Sequence, residues 1–193
     1  HVKPVIDALL AELSIKERKQ VIDLIIRNAD VFSKHEFDLG CTDLLQFRID
    51  TGDHRPIAEG LRSHPRAHLD LIDQTVDKML HAGIVEESSS EWAFNVVVVR
   101  KSDGTIRPTI DFRRLNEITR KDRFPLPRIS DCLDALSGSM YFSTIDMSQS
   151  FFQVPIAEED RNKTAFRTRK GLFHFRKMTM GTSNSPAVLA RLM

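Results

Sequence analysis

Four consecutive valines, Val96–Val99, lie in the apolar segment 92–100, which is too short to be an ordinary helix. The turn sequence Ser102-Asp103-Gly104 follows it, and a second apolar segment, 106–112, follows the turn. This pattern predicts a β-hairpin with a basic tip. Pro108 lies in the return strand and has no backbone N–H to donate, so we expect an edge strand or a bulge there.

The segment before this hairpin has the periodicity of an amphipathic helix. Its apolar stripe consists of Leu69, Ile72, Val76, Met79 and Leu80. We expect Ser63 to cap this helix, Pro65 to lie in its first turn and Gly83 to end it. Two more helical stretches are predicted within residues 5–32, the second of them capped by Ser14.

Further elements are predicted on both sides of these. They are a short strand at 45–49, a short helix at 129–136, a strand at 141–147 that carries Asp146, a hairpin of 163–168 and 172–178 across the basic turn Arg169-Lys170-Gly171, and a last helix with Ser185 as N-cap. Together the elements predict an α+β fold. A boundary near residue 50 would divide the chain into an N-terminal helical segment with its connector, 1–50, and a second part, 51–193.

Composition narrows the class of protein. The chain has 193 residues, of which 41% are hydrophobic, enough for a core without disulfides or metal staples. No uninterrupted apolar run exceeds four residues, whereas a membrane span needs about 20, so we expect no membrane segment. Cys41 and Cys132 lack Cys-x-x-Cys spacing, which is typical of a reducing compartment and gives no support for zinc. The N-terminus has neither an initiator Met nor a signal pattern, so we expect a piece of a longer protein that is not secreted.

The charge is unevenly distributed, although the formal net charge is only +1. Residues 98–128 carry nine Lys/Arg and four Asp/Glu, and residues 161–193 carry eight Lys/Arg and no acidic residue. Such segregation is typical of a phosphate-binding face, but a solvated basic surface without a partner has the same composition.

Two acidic residues are candidates for chemistry. A carboxylate at the end of an apolar strand, as predicted for Asp146, can bind a hard divalent cation together with phosphate oxygens. The competing interpretation is that Asp146 caps a helix that begins at Met147. Asp111 lies among arginines, and we interpret it as an ion-pair partner.

Basic and aromatic residues near these acids are further candidates. Lys101 and Arg107 flank the turn of the first hairpin, where they could contact a polyphosphate or simply form a solvated tip. Phe151 and Phe152 closely follow Asp146. Aromatic pairs usually belong to the core, but one ring could lie beside a nucleotide that Asp146 helps to bind.

Several segments of the chain also form an ordered set. They are Arg48-Ile49-Asp50-Thr51-Gly52, Gly83-Ile84-Val85-Glu86, the Ser-rich loop with Trp92, Asp103-Gly104 with Arg107, Asp111–Asn116, Asp122–Ile129, Tyr141-Phe142-Ser143 before Asp146, Lys163–Thr168 and Asn184-Ser185-Pro186-Ala187. In this order and spacing they resemble the reverse transcriptase of gypsy-type LTR retrotransposons and, more distantly, of retroviruses. The resemblance covers about three quarters of the chain.

This resemblance implies a right-hand polymerase, of which the chain would hold the fingers and part of the palm, truncated before the Tyr-X-Asp-Asp hairpin. Asp146 matches the first of three aspartates that bind Mg²⁺ or Mn²⁺, and the other two would lie beyond Met193. Lys101 and Arg107 match residues that neutralise the triphosphate of the incoming deoxynucleotide. Phe151 matches the aromatic residue that excludes a 2′-hydroxyl.

The resemblance also assigns roles to residues of the second basic stretch. Met180 would line the nucleotide pocket, although it lies in a Met178-Thr179-Met180-Gly181 turn where the family has a Pro-Phe-Gly-like sequence. Arg167, Arg169 and Lys170 would belong to the finger surface that contacts nucleic acid.

The implied function is RNA-directed DNA synthesis, in which a primer on an RNA or DNA template is extended from deoxynucleoside triphosphates. The implied partners are the rest of a polyprotein, namely the remaining palm, the thumb and RNase H, in a cytoplasmic particle or the nucleus. With one of three aspartates, we expect the chain alone to be inactive. A non-catalytic copy, truncated or adopted by a host, is the alternative and would act at most as a nucleic-acid-binding or interaction module. A third interpretation is an unrelated metal hydrolase that uses Asp146. The sequence argues against it, because no His or acidic partners for Asp146 are found.

Overall fold

The computed structural model describes residues 1–9, 13–100, 102 and 104–193, which form two compact units, 1–40 and 41–193. The smaller unit contains α1 (Lys3–Asp7), α2 (Ile15–Arg27) and a 3₁₀ helix at Ala29–Val31. Ser14 caps α2 as predicted, because its Oγ accepts the Glu17 N–H at 3.3 Å while the Glu17 carboxylate accepts the Ser14 N–H at 2.9 Å.

The larger unit contains five strands and several helices among the described residues. The strands are β1 (Val85–Glu87), β2 (Phe94–Arg100), β3 (Ile106–Ile110), β4 (Phe166–Thr168) and β5 (Gly171–Phe175). The α-helices are α3 (Arg66–His81), α4 (Arg113–Ile118), α5 (Ile129–Ala135), α6 (Glu158–Arg161) and α7 (Ser185–Leu192), and 3₁₀ helices lie at Ser150–Gln153 and Asn162–Thr164.

The five strands form one sheet in the order β1-β5-β4-β2-β3. Both predicted hairpins are confirmed, since β2 pairs antiparallel with β3 and β4 pairs antiparallel with β5. The two hairpins are joined by parallel pairing of β2 with β4. Pro108 lies opposite Val98 on β3, an edge strand, where its missing N–H leaves no gap in the ladder.

An aromatic cluster fills the core beneath this sheet. Phe94, Phe112 and Phe166 are almost fully buried, and Phe175 contacts both Phe112 and Phe166, with ring centroids 6.4 and 5.3 Å away. The apolar stripe of α3 also belongs to the core, with Ile72, Val76 and Met79 buried. Burial of each of these rings contributes about 1.5–3 kcal/mol of hydrophobic stabilisation.

The predicted strand at 141–147 is wrong. This segment has no regular secondary structure, and every residue from 125 to 146 is exposed. The alternating apolar residues match a strand, but no other strand of the described residues pairs with them. Without such a partner the backbone groups are left to solvent and the side chains of Tyr141 and Ile145 are uncovered.

Two predicted caps are also wrong. The N-cap of α3 is Pro65 rather than Ser63, and the chain is extended there before the helix begins at Arg66. The N-cap of α7 is Asn184 rather than Ser185. Ser185 instead donates its hydroxyl to the Thr179 carbonyl at 2.9 Å, a buried contact that the capping pattern could not reveal.

The predicted strand at 45–49 is reduced to a single parallel bridge between Phe47 and Ile156. Phe47 and Ile49 are nonetheless buried, and Phe47 exchanges backbone hydrogen bonds with Pro155 and Ala157. Residues 41–50 therefore belong to the larger unit, whereas the sequence placed its boundary near residue 50. Of the helices in the described part of the chain, none is long and apolar enough to span a membrane.

Candidate functional site

Asp146 lies at the end of the exposed segment that follows α5, and its side chain is open to solvent. It caps no helix of the described residues, because the next helical turn begins at Ser150 with Gln149 as its N-cap. The carboxylate is thus available as a hard oxygen ligand for a divalent cation. Among the described residues, no group of three or more His, Cys, Asp or Glu side chains could hold a metal ion.

The two phenylalanines after Asp146 have different environments. Both lie in the 3₁₀ helix 150–153, and Gln149 before them has a left-handed backbone with φ of 45°. Phe152 is 8% exposed and stacks on Phe175 with a centroid separation of 6.4 Å. Phe151 is only half-buried. Phe152 is therefore a core residue, whereas Phe151 lies partly exposed at the surface, five residues after Asp146.

The turn that contains Met180 adjoins this 3₁₀ helix. Met178 is fully buried and donates its N–H to the Val154 carbonyl at 2.8 Å, just after the helix ends. Gly181 has a φ of +88°, and the turn packs against Ile110 and Phe112. Met180 is half-buried. Phe151 and Met180 thus lie on two segments that the backbone holds side by side.

Asn116 and Asn184 attach this turn and the start of α7 to α4 and to the segment that follows α4. Asn116, in α4, donates its Nδ2 to the Gly181 carbonyl at 2.7 Å and accepts the Ser183 N–H at 2.8 Å. Asn184 donates to the Arg120 carbonyl at 2.8 Å and accepts the Asp122 N–H at 3.1 Å. Both residues lie in the segments that carry the resemblance, but no local sequence pattern indicated a structural role for them.

Asp122 adds an ion pair to the same network. Both oxygens of its carboxylate accept hydrogen bonds from Nη2 of Arg191 in α7, at 3.0 Å for Oδ1 and 2.8 Å for Oδ2. These hydrogen bonds hold the pKa of Asp122 below its ordinary value. The Arg191 guanidinium also lies 4.8 Å from the centre of the Phe124 ring, a cation–π contact.

The first hairpin presents part of the predicted triphosphate site. Arg107 lies opposite Val99 on β3, is half-buried and has no ion pair with any residue described by the structure. Lys101 lies outside the described residues, so its placement stays a prediction. Near the base of the hairpin, both carboxylate oxygens of Asp111 accept hydrogen bonds from the Arg113 guanidinium, at 2.8 Å from Nε and 2.5 Å from Nη2. The ion pair predicted for Asp111 is therefore present, and the hydrogen bond from Arg113 lowers the pKa of Asp111.

The second hairpin has a different environment from the one its basic sequence predicted. Arg169 donates to Asp70 and Asp73 of α3 at 2.8 and 2.7 Å, and Lys170 donates to Asp77 of the same helix. Arg167 is half-buried beside a small pocket that Asp73 also lines. The three residues predicted to contact nucleic acid are thus close together, but they lie beside the acidic side of a helix.

Comparison with known proteins places the chain in a family. Residues 99–193 match the family model described as "Reverse transcriptase (RNA-dependent DNA polymerase)". The chain is 31% identical over 189 residues to the retrovirus-related Pol polyprotein from transposon 297 of Drosophila melanogaster, covering 95% of this chain and 18% of that protein. It is 30% identical over 184 residues to the Pol polyprotein from transposon gypsy of the same species, covering 91% and 18%. The chain therefore spans less than a fifth of these curated relatives.

Solved structures with the same fold include foamy virus enzymes. The protease-reverse transcriptase in complex with an RNA/DNA hybrid superposes with a TM-score of 0.86 at 24% identity, over 98% of this chain and 25% of that one. The prototype foamy virus protease-reverse transcriptase gives a TM-score of 0.83 at 21% identity, over 97% and 25%. The predicted fingers and partial palm are therefore confirmed as the fold, and the chain belongs to the reverse transcriptases of LTR retrotransposon Pol polyproteins.

Proposed function

We propose that this chain is the fingers and first palm segment of an RNA-directed DNA polymerase that extends a primer by two-metal nucleotidyl transfer. The family match over residues 99–193 carries the proposal, because that range contains Arg107, Asp146, Phe151 and Met180. The partners would be an RNA or DNA template with its primer, since a foamy virus relative was solved in complex with an RNA/DNA hybrid. Deoxynucleoside triphosphates would be the substrates.

Asp146 would hold Mg²⁺ or Mn²⁺, whose Lewis acidity activates a primer hydroxyl and neutralises the leaving pyrophosphate. The open carboxylate fits that task, because hard cations prefer oxygen ligands and Asp146 is free of competing contacts with the described residues. Two further aspartates, from a Tyr-X-Asp-Asp segment that the sequence does not contain, would complete the set.

The other residues bind and orient the nucleotide. Arg107 carries a guanidinium that can form two parallel hydrogen bonds with a phosphate, and Lys101 would add a point charge beside it. Phe151 would present its ring to the sugar, and Met180 would form the opposite apolar wall. The hydrogen bonds of Asn116 to Gly181 and Ser183 would keep this wall in place while the nucleotide binds.

The remaining palm would also cover the exposed apolar residues that precede Asp146. These are Leu126, Ile129, Leu133, Leu136, Met140, Tyr141, Phe142 and Ile145, each at least 48% exposed. Large apolar patches on a surface mark places where another polypeptide packs.

Primer extension tests the proposal. A polypeptide that joins this chain to the remaining palm and thumb of a related Pol polyprotein is expected to extend a primer on an RNA template, and Asp146→Asn is expected to abolish extension. Asp53→Asn, another exposed acid, is the matched control and is expected to retain extension. Binding of primer-template without extension, unaffected by Asp146→Asn, would favour the non-catalytic alternative. We expect the 193-residue chain alone to bind primer-template weakly and not to extend it.

A further inference from the structure

Helix α3 carries a row of three acids on one side. Asp70, Asp73 and Asp77 are spaced by three and four residues, which puts their carboxylates on one face of a helix. The tip of the β4–β5 hairpin, Arg169 and Lys170, packs on this face although it is more than 90 residues away in sequence. Residues that the sequence separates widely are therefore a single charged cluster in the fold.

The contacts in this cluster use the donors that a phosphate would need. Arg169 spans two carboxylates, with Nε donating to Asp73 Oδ2 at 2.7 Å and Nη2 donating to Asp70 Oδ1 at 2.8 Å. Lys170 donates its Nζ to Asp77 Oδ1. These contacts occupy the Nε–Nη2 edge of the guanidinium, one of the edges through which an arginine can bind a phosphate with two parallel hydrogen bonds.

The cluster as a whole is negative. Three carboxylates face two cations, so these five side chains together carry a formal charge of −1. The second oxygen of Asp73, Oδ1, is buried and has no hydrogen-bond partner among the described residues, so this carboxylate is not saturated by the tip. A phosphate that approached the tip would meet carboxylates at the positions where it needs cations.

We propose that the acidic face of α3 withholds the hairpin tip from nucleic acid, by occupying Arg169 and Lys170 with carboxylates that take the place of phosphates. The inference rests on the proposed function, since it concerns the nucleic acid that this domain binds. The pairs are half-exposed, and such surface ion pairs are each weak, so phosphate can compete for the cations. Each time a phosphate replaces a carboxylate at one of these cations, the released carboxylate repels the incoming nucleic-acid backbone. The tip therefore contributes little to the affinity for nucleic acid while the acids remain.

The salt dependence of binding tests this inference. The affinity of the chain for an RNA/DNA primer-template is measured between 50 and 200 mM salt, for the natural chain and for the triple variant Asp70→Asn, Asp73→Asn, Asp77→Asn. Each phosphate contact contributes about 0.9 to the slope of log K against log salt for duplex DNA, which is about a 3.5-fold change over this range. The triple variant is expected to bind more tightly at 50 mM and to gain one to two contacts in slope.

Two controls make the result specific. Asp43→Asn, Asp53→Asn, Glu91→Gln changes the net charge by the same amount at exposed acids outside the cluster and is expected to leave the slope unchanged. Adding Arg169→Gln and Lys170→Gln to the α3 triple variant is expected to return its slope to that of the natural chain. Urea unfolding of each variant shows whether it is folded, and Asp70→Asn with Asp77→Asn alone serves if the substitution at Asp73 prevents folding.

The outcomes separate the inference from the proposed function. Equal slopes for the natural chain and the α3 triple variant, with binding retained, would overturn the inference and leave the proposed function standing. Equal gains in the α3 triple variant and the control triple variant would also overturn it, because net charge alone would then explain the change. If only the α3 triple variant binds, the acids withhold the tip completely. If neither binds at 50 mM salt, both the inference and nucleic-acid binding by this chain fail.

Discussion

Asp160 and Lys163 form a mostly buried ion pair, with 2.6 Å between Oδ1 and Nζ, and together they hold both backbone polar groups of Ile49. The Ile49 N–H donates to Asp160 Oδ2 at 3.0 Å, and the Ile49 carbonyl accepts Lys163 Nζ at 2.6 Å. The pair therefore attaches the extended segment around Ile49 to α6 and the 3₁₀ helix that follows it.

Asp160→Ala should destabilise the larger unit strongly. It leaves the Lys163 ammonium and the Ile49 N–H without their acceptor, and removing one partner of a buried pair costs about 3–5 kcal/mol. The expected change in the free energy of unfolding is near the lower end of this range, because the Lys163 side chain is 23% exposed. Urea unfolding measures it, with exposed Glu158→Ala in the same helix as control. Equal stability of the two variants would contradict the role given to the pair.

Asp111 should make stability depend on pH. Its hydrogen bond with Arg113 lowers its pKa below the ordinary value of 3.8, so its contribution is present above that value and is lost as the pH falls through the lowered pKa. Because the Arg113 side chain is 82% exposed, solvent limits the contribution to about 1 kcal/mol or less. Urea unfolding of Asp111→Asn and the natural chain should show a difference at pH 7 that closes below pH 3.8. A constant difference across this range would assign the effect to packing.

The turn that contains Met180 should depend on a glycine. Gly181 has a φ of +88°, which side chains adopt only with strain, while a Cβ there would make ordinary contacts of 3.6 and 3.7 Å. Gly181→Ala is therefore expected to cost about 1–2 kcal/mol through the backbone alone. Gly60→Ala is the control, since its Cβ would meet nothing within 4 Å and its φ lies outside the left-handed range. A cost at Gly60 equal to that at Gly181 would show that the turn conformation is not the cause.

Local sequence patterns predicted the elements whose formation depends on interactions between residues close in sequence. The hairpin 94–110, the edge position of Pro108 and the apolar stripe of α3 follow from periodicity and turn chemistry, and these were confirmed. The same rules failed for the segment 141–147, because alternation indicates which residues suit a strand but not whether a neighbouring strand is present.

Long-range polar contacts could not be predicted in this way. The tip residue Arg169 has a basic sequence environment, but its partners Asp70 and Asp73 lie nearly 100 residues earlier, and nothing in the periodicity of either segment links them. Asn184 likewise loses the N-cap hydrogen bond that its position favours, because its amide is engaged by residues 120 and 122. The resemblance predicted the fold as a whole, but these contacts are seen only in the three-dimensional structure.

Phe151 should select deoxynucleotides over ribonucleotides when this chain is joined to the remaining palm. The ring is half-buried and lies apart from the core pair of Phe152 and Phe175, so it is free to exclude a 2′-hydroxyl by steric overlap. Phe151→Val is expected to raise the ratio of kcat/KM for ribonucleotide over deoxynucleotide by roughly 10- to 200-fold, the range for small changes in a pocket.

The neighbouring ring supplies the control for this prediction. Phe152→Val removes a buried aromatic side chain and is expected to lower stability by a few kcal/mol, at or below the roughly 3–5 kcal/mol of a Phe→Ala truncation, without changing the sugar preference. The two variants thus separate a pocket residue from a core residue that differs by one position. If Phe151→Val instead lowers both activities together, with reduced soluble yield and an unchanged ratio, Phe151 belongs to the core and the sugar must be excluded elsewhere.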